Sequence, residues 1–421
     1  MYVAQTAGLP VRVAVSVCRK TSRKLSSKSG HNKQNRIPAS YYRGGTSRAL
    51  MFVDRDLPAD RQQWAPIFTG TIGSPDANGR QLDGMGGGIS SLSKVCVVSA
   101  GSSLGADKAD VDYTFAQVQV KGTYVDYAGN CGNMSAAIGP FAYDNELVDR
   151  SRVSNGDGTA TVRIHNTNTG KLLNATFPII EGEEAATDGD FAIDGVGGTG
   201  AKIELNFIRP GGSKTGKLLP TGNVIDVLED LPEGVGSVHA TLLDAANPAV
   251  FVDAAEIGVE DPTVLPAKLD TQTDILRKLE IIRTHGSVKM GITDNLEEAA
   301  KVTSIPKICF VSRPSTHKLL DGRAISAESV DVVVRAISVG QPHRAIPITL
   351  ALATAAAAKL PGTIVNRVVN TSKGGDDSSV TIGHASGTVV VDAEYMDSEL
   401  MHVTVFRTAR RLFEGMVFWR A

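Results

Sequence analysis

With 421 residues the chain is long enough for two domains that each bury a core, and 42% hydrophobic with 21% charged residues is an ordinary globular make-up. A formal net charge of −2 argues against a general nucleic-acid binder, and no apolar run is long enough to span a bilayer. Glycine supplies 43 of the 421 residues, above the roughly 7% typical of proteins, which predicts many turns and a chain richer in strands than in helices.

The first 53 residues carry ten Lys or Arg and no Asp or Glu; Asp54 is the first acidic residue. Residues 1–35 therefore read as a disordered basic extension or a mitochondrial transit peptide, and the expected location is cytoplasmic or mitochondrial. From Ile37 the pattern is that of a folded domain. A strand is expected at Ala49–Val53, a short helix at Ala59–Gly70, a Gly- and Ser-rich loop at Asp83–Ser93 and a strand at Lys94–Val98. Val111–Val120 and Gly122–Tyr127 read as paired strands. Met134–Tyr143, rich in Ala and Gly, suits a helix packed tightly inside strands. Strands follow at Thr161–His165 and Lys171–Ile179, and the glycine-rich stretch Gly189–Gly200 is the expected seam between domains.

After the seam the order recurs. Strands at Ala201–Ile208 and Val250–Val252, a helix at Thr271–His285 and strands at Ile308–Val311 and Val330–Ile337 lead to a second Ala-rich helix, Ala345–Leu360. Each half thus sets strands around one small-residue helix, as in an internal duplication. The domains are expected at 36–198 and 199–400. Residues 401–421, read as strand, short helix and strand, would pack back onto the first domain.

Several motifs point to chemistry that their surroundings contradict. Gly195 to Gly200 is a literal G-x-G-x-x-G, but the residues after it alternate as a strand, where a dinucleotide site needs a helix. Gly211 to Lys217 (GGSKTGK) matches most of a P-loop, yet Leu218 stands where the magnesium-binding hydroxyl belongs and Pro220 and Gly222 oppose a helix. No metal-binding or serine-hydrolase motif appears. The four cysteines, Cys18, Cys96, Cys131 and Cys309, form no C-x-x-C pair and suggest neither zinc nor disulfides. Cys96 and Cys309 lie in apolar strands and are expected in the core.

YYRGGTSRA, DGMGGGISSLSKV, NCGNMSAAIGPFA, TGKLLPTGN and IGHASG occur in that order from residue 41 to residue 387. In them the chain resembles the 2-methylaconitate isomerase (PrpF-like) proteins, a group that includes 4-oxalomesaconate tautomerase, methylitaconate Δ-isomerase and aconitate Δ-isomerase. The resemblance runs from about Ile37 to the C-terminus. It implies an α/β (α+β) fold of two related diaminopimelate epimerase-like domains, each a β-barrel-like sheet around a central helix, with the active site in the cleft between them. The implied activity is a cofactor-independent isomerisation by proton shift, either double-bond migration or cis–trans isomerisation, of a small unsaturated di- or tricarboxylic acid of the aconitate or methylaconitate type. No cofactor, metal, nucleic acid or membrane partner is expected; the assembly is left open, with a homodimer as one option.

The chemistry of such a reaction needs a base for a carbon-bound proton, an acid to return it, and donors for the charge that develops. The resemblance puts Lys94 at the family's catalytic lysine, with Arg43 or Arg48 as candidate neighbouring cations. Cys131, at the expected start of the first central helix, is the second proton carrier, since a helix N-terminus favours a thiolate. Carboxylates would be held by Arg43, Thr46, Ser47, Gly86, Gly87, Ser90, Ser91, Ser93, Gly132 and Asn133 from the first half, and by His343, His384 and Ser386 from the second. Three steps depart from the family's pattern. Thr349-Leu350-Ala351 replaces Thr-Gly-Ala, His384-Ala385-Ser386-Gly387 replaces His-Pro-Ser-Gly, and Arg48 stands for Lys. Leu350 adds bulk at an expected backbone approach, which bears on substrate size and keeps a catalytically silent carboxylate-binding protein as the alternative. A two-thiol amino-acid racemase fails, because the second helix carries no cysteine.

Overall fold

Gly44 and Gly45 reverse the chain between β1 (Asn35–Gly44) and β2 (Ser47–Val53), with Gly44 opposite Ser47. Gly45 sits at φ +50°, and a Cβ there would run into the Asn133 side chain, so this turn is also a close approach to the site. The computed structural model describes residues 33–101, 109–232, 234–369 and 379–420. Residues 1–32 of the expected N-terminal extension lie outside them.

From β2 the chain passes through α1 (Trp64–Ile72) to β3 (Lys94–Ala100), which lies parallel to β2. β4 (Val111–Val118) pairs antiparallel with β3, and β5 (Val125–Asp126) adds to β4. α2 (Gly132–Asp144) then crosses to β6 (Thr159–Asn166), parallel to β4, and β7 (Lys171–Ile180) and β8 (Ile203–Ile208) follow as antiparallel neighbours.

The second half repeats these steps in the same order and directions. β9 (Val238–Ala245) is antiparallel to β10 (Asn247–Asp253), and α3 (Thr273–Lys289) leads to β11 (Lys307–Ser312), parallel to β10. β12 (Val332–Ser338) pairs antiparallel with β11, and β13 (Gln341–Pro342) adds to β12. α4 (Ile348–Lys359) crosses to β14 (Ser379–His384), parallel to β12, followed by antiparallel β15 (Gly387–Met396) and β16 (Glu399–Arg407). The duplication expected from the sequence is therefore present strand by strand.

Two pairings join the halves. β8 is antiparallel to β16, and β17 (Ala409–Trp419) runs antiparallel to β1 from Asn35↔Trp419 to Gly44↔Ala409. The short helix expected within 401–421 is not formed. β1 supplies β17 with a partner along its whole length, and a bulge at Tyr41/Tyr42 absorbs the irregular spacing.

Both central helices are enclosed: Gly132–Tyr143 of α2 and Ile348–Ala358 of α4 are buried at every position. A helix apolar on all sides has no solvent face and must be wrapped, here by β1, β6 and β7 around α2 and by β9, β10, β15 and β16 around α4. Small residues let these strands approach closely. The outcome is one core shared by both helices, with their N-terminal ends brought together.

Candidate active site

Where the N-termini of α2 and α4 meet, Ser47, Ser90, Lys94, Cys131, Lys307 and His343 help line a narrow pocket of about 30 Å³. Ser90 and His343 also line an adjoining cavity of about 1050 Å³, whose wall includes Thr46, Ser91, Arg344, Ser386 and Arg407. The helices approach through Gly132: a Cβ there would lie 2.8 Å from Ile348 Cγ2 and 3.3 Å from the Thr349 amide nitrogen. Neither N-terminus is capped by its own side chain, since Cys131 and Pro347 occupy the cap positions without a side-chain hydrogen bond. First-turn amides have no intrahelical acceptor, so two sets of N–H donors and two positive dipole ends face one space. Such an arrangement favours an anion.

Lys94 opens β3 and is buried, with its cross-strand partner Gln117 on β4. Its Nζ donates to Gln117 Oε1 at 2.6 Å and lies 5.0 Å from the Phe115 ring centroid. Gln117 Nε2 donates to the Ser90 and Ser93 carbonyls at 3.1 and 2.9 Å, which fixes the amide so that its oxygen faces the lysine. Cys131 Sγ lies 4.0 Å from Ser47 Oγ. The Thr46 amide donates to Asn133 Oδ1 and Asn133 Nδ2 donates to Thr46 Oγ1, each at 3.2 Å, tying the β1–β2 turn to the start of α2.

The second half supplies His343 and Lys307. Burial, with smaller contributions from Lys94 and Lys307, brings the His343 imidazole down to about 4, so it is neutral at pH 7. Its Nδ1 accepts from the Ala345 amide at 3.1 Å, which leaves the ring proton on Nε2 as a donor. Lys307 lines the pocket beside Lys94, and burial followed by repulsion from Lys94 pulls its ammonium down to about 8. In the wider cavity Arg407 is buried and brought down to about 9 by that burial; its Nη1 donates to the Phe406 carbonyl at 3.2 Å, and its Nε has no protein partner.

A buried amine, a thiol and an anion-binding frame thus meet at the junction of two like halves. Residues 34–420 match the family model described as PrpF protein. The chain belongs to the PrpF family.

A 2-methyl-aconitate isomerase of Shewanella oneidensis is 39% identical to this PrpF family member over 395 residues, 91% of this chain and 97% of that protein. The crystal structure of a methylitaconate-delta-isomerase is 38% identical and superposes with a TM-score of 0.73, covering 92% of this chain and 96% of that one. A hydroxyproline epimerase from Agrobacterium vitis, 10% identical, superposes with a TM-score of 0.52 over 91% of this chain and 92% of its own, and shows the same fold. The epimerase-like α/β architecture expected from the motifs is thus present.

Not every residue expected at the PrpF site reaches the cavity walls. Arg43 Nη1 is held by the Gly45 carbonyl and by Thr408, at 3.0 Å to its carbonyl and 2.9 Å to its hydroxyl, and braces the first turn. Arg48 lies over the Tyr41 ring at 5.6 Å. The cation beside Lys94 is therefore Lys307 rather than either arginine. Gly86 and Gly87 pack on Gln81 and Leu92, and Ser93 donates to Gln81 Oε1 at 2.7 Å and to the Ile89 carbonyl at 2.8 Å. His384 is 2% exposed and accepts the Ser386 amide at Nδ1, so it shapes the turn that carries Ser386. Leu350 lines neither cavity; it is 1% exposed within the shared core, while Thr349 beside it lines the narrow pocket. Its bulk meets core, not substrate. Cys96 and Cys309 are buried as expected, and burial pushes both thiols up.

The P-loop look-alike also has a structural explanation. The amides of Lys214 and Thr215 both donate to the Asp244 carboxylate at 2.8 Å, so a side chain of the protein fills its anion position. Among the described residues no group of three or more His, Cys, Asp or Glu is arranged to hold a metal ion, and no helix is long and apolar enough to cross a membrane.

Gln117, Lys307 and Arg407 escape a motif-based reading. For Lys307 the signal existed: Lys307-Ile308-Cys309-Phe310-Val311-Ser312 repeats the type and order of Lys94-Val95-Cys96-Val97-Val98-Ser99. Gln117 and Arg407 are single polar residues in strands and carry no comparable mark.

Proposed function

We propose that this PrpF family member is a cofactor-independent isomerase that moves a proton, and with it a double bond, within a small unsaturated polycarboxylic acid of the methylaconitate type. The observation that carries the reading is the meeting of Lys94 and Cys131 in one pocket beneath two uncapped helix N-termini. Lys94 Nζ takes a proton from the carbon next to the double bond. The released electron pair spreads through the double bond into the adjoining carboxylate, and Cys131 Sγ–H returns a proton at the far carbon. A C–H and the S–H bond break while an N–H and a C–H bond form, with no change of oxidation state. Return of the proton from the Lys94 ammonium to the Cys131 thiolate resets the site.

The dienolate is the species to be stabilised. Amides at the start of α2, the Ser47 hydroxyl and the Nε2–H of neutral His343 supply donors that need no reorganisation during the reaction. Thr46, Ser91, Ser386 and the Arg407 guanidinium hold the remaining carboxylate or carboxylates in the wider cavity. Arg407 suits this work because its Nε lacks a protein partner and a buried cation gains most from an incoming anion. Gln117 is a positioning residue that aims Lys94.

The test is incubation of the protein in D₂O with 2-methylaconitate, methylitaconate, cis-aconitate and 4-oxalomesaconate, followed by NMR. Isomerisation and deuterium incorporation with one of them, abolished by Lys94→Ala, is the expected result. Exchange with none, from folded protein, would favour the silent binder. The reason for entertaining that alternative is gone, because Leu350 points into the core.

A further inference from the structure

Lys94 has a counterpart. Both Lys94 and Lys307 are the first residue of a strand, β3 and β11, that lies parallel to the strand before it and antiparallel to the one after it. Each lysine reaches a polar residue on that following strand: Lys94 Nζ to Gln117 at 2.6 Å, and Lys307 Nζ to Ser338 Oγ at 3.4 Å. Each is followed two residues later by a buried cysteine on the core side. The duplication thus delivers two lysines to one pocket, one from each half.

We infer that Lys307 is the second working lysine of the site: its ammonium seats one carboxylate of the substrate opposite Lys94, and it takes up a proton when that carboxylate arrives. The inference rests on the polycarboxylate reading above and specifies it.

The surroundings of Lys307 support this. It is 9% exposed, its contact with Ser338 is long, and no carboxylate lies within ion-pair distance of it among the described residues. Five charged or titratable groups face it. From β3 comes Lys94, from β5 Asp126, from the start of α2 Cys131, from α3 Arg283, and from the segment before α4 His343. Arg283 is already engaged, bound to Glu280 and to the carbonyls of Ala299, Val302 and Ile305. Asp126 is spent on the amides of Ala128 and Ser304, at 2.8 and 3.0 Å. His343 is neutral. A buried ammonium without a close anion either sheds its proton or acquires an anion. The ammonium is brought down to about 8, chiefly by burial and then by Lys94, so at pH 8 both forms are populated in the empty site. An incoming carboxylate favours the charged form, draws in a proton, and is held by it.

The sign is then fixed. Binding strengthens as pH falls through 8 and takes up a fraction of a proton there; near pH 6 Lys307 is already charged and the uptake disappears.

Tricarballylate, a saturated tricarboxylate that cannot isomerise, is the probe. Calorimetric titration at pH 8 in Tris and in HEPES, whose ionisation enthalpies differ, reads the protons taken up. Wild type should show uptake at pH 8 and little at pH 6. Lys307→Met should bind about tenfold to a hundredfold more weakly at pH 7, the range for one lost charge-assisted hydrogen bond, and show no uptake. Lys307→Arg, which stays charged, should keep the affinity but lose the uptake, and it serves if the Met variant does not fold. Undiminished affinity and uptake in folded Lys307→Met, or undiminished uptake in Lys307→Arg, would overturn the assignment. Absence of binding by folded wild type would overturn the polycarboxylate reading and this inference with it.

Discussion

Replacing Gly132 with alanine tests the central geometric claim, that the two helix N-termini touch. The new methyl would lie 2.8 Å from Ile348 Cγ2 and 3.0 Å from Ile348 Cβ, inside normal contact. Ile348 is 2% exposed and packed in the shared core, with only the narrow pocket of about 30 Å³ beside it to turn into. Overpacking of this kind costs about 1–3 kcal/mol. Alanine in a helix is worth up to about 1 kcal/mol over glycine, which offsets part of that cost. With the full offset the net loss should therefore be about 0–2 kcal/mol, read from urea midpoints at constant slope. Activity should fall further than stability, because parting the amides from the proton carriers by a fraction of an ångström misplaces the substrate. A loss of about tenfold to a hundredfold in kcat/KM is expected. The decisive assay is a double-mutant cycle with Ile348→Ala, which removes the colliding methyl. If the two residues touch, the double variant should be more stable than the sum of the singles by about 1 kcal/mol or more. Additivity within about 0.5 kcal/mol would refute the contact, and with it the joint anion site.

Other expectations follow from single contacts. Gln117→Leu removes the acceptor of Lys94 Nζ and the donor to two carbonyls; kcat should fall well below wild type with KM nearly kept, alongside a stability loss of about 1–3 kcal/mol. An unchanged kcat would show that Lys94 needs no such aiming. Leu350→Ala should cost about 2–5 kcal/mol as a core cavity and leave KM and substrate preference as they were. A changed preference would return Leu350 to the substrate site. His384 is brought down to about 3 by burial, then by Arg407, Arg335 and His343, whereas the unfolded chain protonates near its ordinary 6.5. Between those values the unfolded state binds a proton that the folded state refuses. The stability from neutral His384 is thus complete above pH 6.5 and is lost as pH falls toward 3. His384→Gln should flatten that loss in acid unfolding curves, and an unflattened curve would assign it to other groups.

How much was legible depended on whether a residue's surroundings were local. α2 and α4 were legible because runs such as Met134–Tyr143 are apolar or small on every side, a pattern that only an enclosed helix can use. β17 was misread because Arg410 to Gly415 shows no clean alternation. Its register shifts opposite Tyr41/Tyr42, and it pairs with β1 along one edge only. Gly86 and Gly87 look the same in sequence whether a loop cradles an anion or packs on Gln81 and Leu92. Arg43 was drawn to the substrate by its charge, but the carbonyl and hydroxyl that hold it belong to Thr408, far along the chain. Side chains whose partners are remote are where a motif reading stops.

The duplication itself says something about the reaction proposed here. The strands preserve their lysine in both halves, at Lys94 and Lys307, but the helix cap does not: Cys131 stands before α2 and Pro347 before α4. Proline carries neither an acidic proton nor an N–H, so it can neither accept nor deliver the hydrogen that the first cap handles. A pair of like acids on opposite sides suits inversion at one carbon, where a proton leaves one face and returns to the other. A proton shift between two carbons asks for something else: the carriers placed for two positions along one molecule, and positive charge where the electrons collect. In the reading proposed, the first half keeps both carriers, Lys94 and Cys131, while the second offers Lys307, neutral His343 and the amides of α4. Placing a thiol at this cap by Pro347→Cys would therefore not create a racemase unless the acid it carried also lay across the substrate from Cys131. The close approach of Gly132 to Ile348 shows how little room the two caps share.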